Sequence, residues 1–185
     1  MNFDLAQKDM NTAYFGGGAG VLVSGVIWCL AGITALLYSN QSSMLVLFFG
    51  GMLIHPLALL LAKLLKRSAK HQSDNLLGKL ALESTIILLV GLFIAFYVSQ
   101  LKIEWFFPIM LMAIGVRYLV FNTLYGIKTY WILGAVLMFS GMFCILFAAN
   151  FFIGAFIGGL IEIIFSLVIF KHASEQALSQ FKINN

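Results

Sequence analysis

Hydrophobic positions run along this chain in six long, nearly uninterrupted stretches, each close to the roughly 20 residues that an α-helix needs to cross the hydrocarbon core of a bilayer. The pattern predicts spans over about 14–38, 44–65, 80–98, 105–124, 130–149 and 151–170. Polar breaks separate most of them: "SNQSS" after the first, "KRSAKHQSDN" after the second and "SQLKIE" after the third. Between the fifth and sixth only Asn150 interrupts the run, and after the sixth comes the polar tail "KHASEQALSQFKINN". The expected fold is all-α: a single 185-residue domain of six transmembrane helices arranged as three helical hairpins.

Composition agrees with the pattern. Hydrophobic residues make up 62% of the chain and charged ones 10%, with a mean hydropathy of +1.00. Soluble domains are about 45–50% apolar and about 25% charged, so the lipid bilayer is the expected solvent. The N-terminal segment carries two acidic residues and one lysine before a run long enough to span, which argues for a retained helix rather than a cleaved leader.

The net charge of +4 raises the question of nucleic acid, but the basic residues sit in loops and at helix ends, so they read as topology signals and no nucleic-acid partner is expected. With the N-terminus inside, Lys8, Lys63, Lys66, Arg67, Lys70, Lys79, Lys128, Lys171 and Lys182 lie on the inner side and only Lys102 on the outer; Arg117 falls within a span. The positive-inside rule therefore predicts an N-in/C-in topology. The 66–79 loop, with five Lys, Arg and His residues, is expected to meet anionic lipid headgroups.

The return helix of each hairpin carries one ionisable residue at a similar depth. His55 lies 11 positions past Met44, Arg117 lies 12 past Trp105 and Glu162 lies 11 past Phe151. At about 1.5 Å per residue this is roughly 17 Å from the outer boundary, near the bilayer midplane. A small residue precedes each by four positions: Gly51, Ala113 and Gly158. That spacing shares a helix face and admits a close neighbour, so the polar groups are expected to point into the bundle. Span six extends this into a stripe of Gly154, Gly158, Glu162 and Ser166. Weak echoes between "SGVIWC" (24–29) and "SGMFC" (140–144), and between "FFGGMLIHP" (48–56) and "FIGGLIE" (156–162), raise a three-hairpin repeat without establishing one.

Charge in the membrane interior costs at least about 2.5–3.5 kcal/mol and by default marks a functional pathway. Arg117 has two candidate partners, Glu162 and Glu83, and Asn122 and Tyr118 lie within reach of the same network. Pro56 frees the Met52 carbonyl beside His55, making a second polar, irregular patch. These residues are consistent with a transporter or channel-like protein whose midplane site, lined by His55, Arg117, Glu162, Glu83 and Asn122, takes an ion, a proton or a small molecule. They are equally consistent with a structural or regulatory membrane protein in which buried charges only specify which helices pack together.

Other signals are weaker. Gly16, Gly20 and Ser24 form a close-packing stripe that also suits a homo-oligomer. Cys29 and Cys144 give no disulfide framework. "GGGAG" lacks the Lys–Ser/Thr of a phosphate loop, and no metal-ligand cluster, cofactor motif or nucleophile–base pair stands out. The blocks "YFGGGAGVLVSGVIW", "FFGGMLIHPLALLLAKLLKR" and "VRYLVFNTLYGIKTYWILGAVL" together resemble a family of small six-helix bacterial inner-membrane proteins of unknown function. The resemblance implies a bacterial inner-membrane location and carries over no substrate and no site residue.

Overall fold

A computed structural model describes residues 1–183, with side chains described through Glu175. Its elements are α1 (Phe3–Tyr14), α2 (Gly18–Leu37), α3 (Asn40–Leu64), α4 (Leu77–Ser99), α5 (Phe106–Tyr125), α6 (Thr129–Leu146) and α7 (Phe151–Ile183), with single 3-10 turns at 15–17 and 103–105. There is no strand among the described residues. The six helices α2–α7 are long and apolar enough to cross a membrane, and apart from the C-terminal extension of α7 their ends lie within a few residues of the six hydrophobic runs.

Two features depart from the sequence reading. The segment before the first run forms a helix, α1, whose Asn2 side chain caps it by accepting from Leu5 N–H at 2.9 Å. It is amphipathic, with Ala6, Met10 and Ala13 buried, and it was hidden because its polar residues mask a short apolar stripe. The polar C-terminal tail also continues the helix, since α7 runs on to Ile183.

The weakest predicted boundary, near Asn150, is made by backbone geometry. Ala148 adopts a left-handed conformation (φ 48°). Ala149 N–H then donates to Cys144 O at 2.9 Å and Ala148 N–H to Ile145 O at 3.2 Å. This closing pattern stops a helix without any polar side chain.

Every predicted hairpin is in contact, α2 with α3, α4 with α5 and α6 with α7, but the most extensive packing runs between hairpins, α2 against α7 and α5 against α6. Glycine explains both cross-hairpin seams. A Cβ on Gly25 would lie 2.8 Å from the Gly159 carbonyl, and one on Gly159 would lie 2.8 Å from the Gly25 carbonyl. Gly115 and Gly134 are related in the same reciprocal way across α5 and α6, at 2.7 and 2.6 Å. These are backbone-to-backbone contacts of the kind that drive helix association in lipid. The expected Gly16–Gly20–Ser24 stripe is not the seam. Gly16 sits in the turn before α2, while Gly20 would meet only Ala58 of α3. The "GG" echo is likewise used differently, because Gly159 is in tight contact whereas a Cβ on Gly51 would meet nothing within 4 Å.

The resulting order is α3–α2–α7–α6–α5–α4, with α7 also touching α5. A cluster of Trp28, Phe106, Phe107 and Phe151, with neighbouring ring centroids 4.8–6.4 Å apart, fills the centre toward one end. Helices α3 and α4 are the outermost: 11% of each most apolar window is buried, against 39–44% for the other four. At the opposite end the basic loop 65–76, the 126–128 turn and α1 come together. Asp9 accepts from Gln72 N–H (2.9 Å) and Asn75 Nδ2 (2.8 Å), Tyr14 Oη and His71 Nδ1 share a hydrogen bond (2.7 Å), and Gln7 Nε2 donates to Thr123 O (2.8 Å). Helix α1 is thus fastened across the basic end of the bundle.

Replacing Gly159 by leucine should force α2 and α7 apart and lower stability by about 1–3 kcal/mol, the usual cost of overpacking. Gly51→Leu, on an open face, should change it by less than about 0.5 kcal/mol. Thermal unfolding followed by helical circular dichroism in detergent will separate the two.

Candidate functional site

The close approach of α2 and α7 brings Glu162 into the interior. Along α7 the faces of Gly154 and Gly158 are filled by Phe107, Trp28 and Leu111, and the carboxyl of Glu162 follows one turn later with no exposed surface. Tyr118 of α5, also buried, donates its hydroxyl to Glu162 Oε1 at 2.7 Å. The second carboxyl oxygen, Oε2, has no hydrogen-bond partner. Ser24 of α2 faces this carboxyl as its second hydrogen-bonding neighbour, although no bond between Ser24 Oγ and the carboxyl reaches full hydrogen-bond geometry.

Arg117 is the neighbour of Tyr118 in sequence and turns toward α4. Its Nη2 donates to Thr85 Oγ1 at 3.4 Å and its guanidinium carbon lies 5.1 Å from the centroid of the Phe121 ring. Its Nε is buried and unpartnered. Among the described residues Arg117 makes no ion pair with either Glu162 or Glu83, so the positive charge is held by a hydroxyl and an aromatic face. Ser24 Oγ, Glu162 Oε2 and Arg117 Nε are therefore three buried polar atoms with unused hydrogen-bonding capacity, on three adjoining helices.

An aromatic column leads from this cluster to the basic end. Tyr118 stacks on Tyr130 with centroids 5.8 Å apart, and Tyr130 on Tyr125 at 5.8 Å; Phe121 packs edge-on against all three. Tyr130 Oη donates to the Gly16 carbonyl at 2.6 Å. Gly16 and Gly17 both have positive φ (64° and 77°), and a Cβ on Gly17 would come within 2.6 Å of the Tyr125 ring. Only glycine turns α1 into α2 so close to the tyrosines. Beyond Tyr125 lies an open cleft of about 380 Å³ between α1 and the bundle, edged by Asp4, Gln7, Lys8 and Arg67.

The five residues singled out from sequence do not gather at one point. Glu162 and Arg117 belong to adjoining helices at the centre. His55 is exposed on α3 and Glu83 is exposed on α4, so the expectation that all three midplane groups turn inward fails for His55. The reason is that Gly51, one turn before it, admits no neighbour within the chain. Asn122 lies nearer the basic end and braces the α5–α6 turn. With its amide turned to match its neighbours, Nδ2 donates to Ile127 O at 3.3 Å and Oδ1 accepts from Trp131 Nε1 at 3.2 Å. Thr85 escaped the sequence reading because a lone threonine in an apolar run carries no distinguishing pattern. Ser24 was visible only as a member of a small-residue stripe.

The model of DUF7010, a family of unknown function, matches residues 3–172. The chain belongs to this family. The matched region takes in α1–α6 and α7 as far as His172, including every residue of the polar cluster and the aromatic column. No curated protein and no solved structure gives a significant match. DUF7010 membership names no activity and no substrate.

Tyr118→Phe should leave Glu162 Oε1 without its donor and lower stability by about 1–3 kcal/mol. Ser24→Ala removes a hydroxyl that only approaches the carboxyl and should cost less than Tyr118→Phe. Melting temperatures of the two variants in one detergent will test this contrast.

Proposed function

We propose that the Glu162 cluster is where this membrane protein takes up and releases a proton or small ion during passage across the bilayer. The single observation that carries the reading is the set of three unpartnered buried polar atoms, Ser24 Oγ, Arg117 Nε and Glu162 Oε2. An unsatisfied buried donor or acceptor costs about 1–3 kcal/mol, and such groups in native proteins call for a water, an ion or a functional role. Here they belong to a carboxyl and a guanidinium in the membrane interior, where ionisable groups mark ion and proton pathways. In this scheme Glu162 carries the proton or cation and Tyr118 orients its carboxyl. Arg117 supplies fixed positive charge, and the tyrosine column leads toward the cleft at the basic end. Asn122 sits beside that route, whereas His55 and Glu83 lie outside it. The basic end, with its 66–79 loop against anionic headgroups, faces the cytoplasm of a bacterial cell under the positive-inside rule.

A second reading is favoured by the Tyr118–Glu162 bond, which ties α5 to α7 at a carboxyl with no exposed surface. On that reading the cluster specifies helix packing and moves nothing.

Purified protein in liposomes loaded with a pH-sensitive dye, under a potassium diffusion potential, separates the two. The transport reading expects proton flux above empty liposomes and at least a tenfold loss in Glu162→Gln, whose shape still accepts the Tyr118 bond. Parent vesicles that pass neither protons, monovalent cations nor chloride above background would overturn it. Loss of stability in Glu162→Gln would then assign the cluster to packing.

A further inference from the structure

Helix α1 carries a polar arrangement that the Glu162 cluster does not use. Asp4, Gln7, Lys8, Asn11, Thr12 and Phe15 recur at three- and four-residue spacing, so they form one stripe along the helix. That stripe is one wall of the open cleft of about 380 Å³ at the basic end. Opposite it stand the end of α5, Ala173 of α7 and, from the loop after α3, Arg67. Two members of the stripe serve the fold: Gln7 Nε2 donates to Thr123 O at 2.8 Å and Asn11 Nδ2 to Tyr125 O at 3.1 Å. Asp4, Lys8, Thr12 and Arg67 make no side-chain hydrogen bond or ion pair among the described residues.

These groups follow one another in a fixed order. Phe15 lies three residues before the start of α2 at Gly18, and its ring packs on Phe170 of α7 with centroids 5.1 Å apart. This end of the cleft is therefore apolar and adjoins the first span. Arg67 lies three residues past the end of α3 at Leu64, at the same boundary. Its guanidinium carbon stands 4.3 Å from the centroid of the Phe15 ring. Stacking occupies the face of a guanidinium and leaves its edge N–H groups for another partner. Measured along α1 from Phe15, Thr12 is roughly 5 Å away, Lys8 roughly 10 Å and Asp4 roughly 17 Å. From the α2 end outward the cleft is apolar, then cationic with a hydroxyl between the two cations, then anionic.

We propose that this cleft binds the headgroup of a phospholipid whose phosphate carries an amine. The edge of Arg67 and the ammonium of Lys8 give charge-assisted hydrogen bonds to the phosphate oxygens, with the Thr12 hydroxyl between them. Asp4 accepts from the headgroup ammonium. The acyl chains leave past Phe15 and Phe170 into the bilayer. A headgroup that is anionic throughout satisfies the two cations but meets repulsion at Asp4, whereas an amine without phosphate leaves Arg67 and Lys8 unanswered. The apolar end also favours a lipid over a free phosphate ester, because a soluble compound makes no use of a surface that adjoins the span. The cleft is complete without the Glu162 cluster, so headgroup binding stands whether or not that cluster moves an ion.

The test is native mass measurement of the full chain released from nanodiscs of equal parts phosphatidylethanolamine and phosphatidylglycerol. The 20.5 kDa chain should retain the first lipid at least fivefold more than the second. Arg67→Gln and Lys8→Gln should each cut that retention at least fivefold. Lys63→Gln, exposed on the last turn of α3 and outside the cleft, should leave it unchanged. Asp4→Asn should abolish the preference between the two lipids, and a tenfold excess of free phosphoethanolamine should not displace the bound one. Equal retention of both lipids by the parent would overturn the proposal. So would losses in Arg67→Gln no greater than in Lys63→Gln, among variants that melt with the parent. Displacement by phosphoethanolamine would give the cleft to a soluble phosphate ester and overturn the lipid assignment. Glu162→Gln should keep the lipid, so failure of the flux assay and failure of this one are read separately.

Discussion

Two backbone-to-backbone contacts hold this bundle in register: Gly25 against Gly159 and Gly115 against Gly134. In lipid no hydrophobic force pulls helices together, so association relies on close van der Waals packing and on hydrogen bonds between helices. Where glycine faces glycine, two helix axes approach as nearly as backbones permit. The first contact sets α7 against α2, and the second sets α6 against α5. With α7 also touching α5, three helices converge on Glu162. Its hydrogen bond from Tyr118 and its neighbour Ser24 are consequences of those seams.

The opposite pole of that arrangement is the basic end. The Gly16–Gly17 turn folds α1 back across the bundle and receives the Tyr130 hydroxyl on its carbonyl. The same α1 is hydrogen-bonded to the loop between α3 and α4 and to the end of α5. One short helix therefore links the outlying α3–α4 pair to the tyrosine column. Phe15, Lys66 and Ala69, non-glycine residues with positive φ, occur where these pieces join. Such conformations persist only where surrounding contacts over-determine them. The junction is thus built by tertiary contacts against local backbone preference.

Ionisable groups in the apolar runs fall into two environments. Glu162 and Arg117 are held by protein, through a tyrosine hydroxyl in one case and a threonine hydroxyl with an aromatic face in the other. His55 and Glu83 are exposed on helices that the rest of the chain scarcely covers. Hydrocarbon solvates neither kind, so each needs protein or water around it. Within the chain that need is met only in part around Glu162 and Arg117, each of which keeps one buried atom without a partner, and is left open at His55 and Glu83.

Six spans, their approximate limits and the all-helical class were legible along the chain, because spanning a bilayer demands long apolar runs and leaves the backbone no other bonding scheme but a helix. The inward direction of Glu162 was legible too, from the small residues repeating every four positions before it. The same rule misjudged His55: Gly51 has the right spacing but no neighbour, and spacing reports a face without reporting what lies opposite. Helix α1 escaped notice since a short amphipathic segment has no run to display. The α6–α7 break was anticipated at Asn150, but its form, a left-handed alanine, depends on backbone conformation and not on residue type. What the sequence by itself determined was which segments must be helical in lipid and which few groups lipid would reject. Which of those groups meet was decided only by the tertiary structure. Helix partners are chosen by complementary surfaces far apart in the chain, and Gly25 and Gly159, separated by more than a hundred residues, become neighbours only after folding.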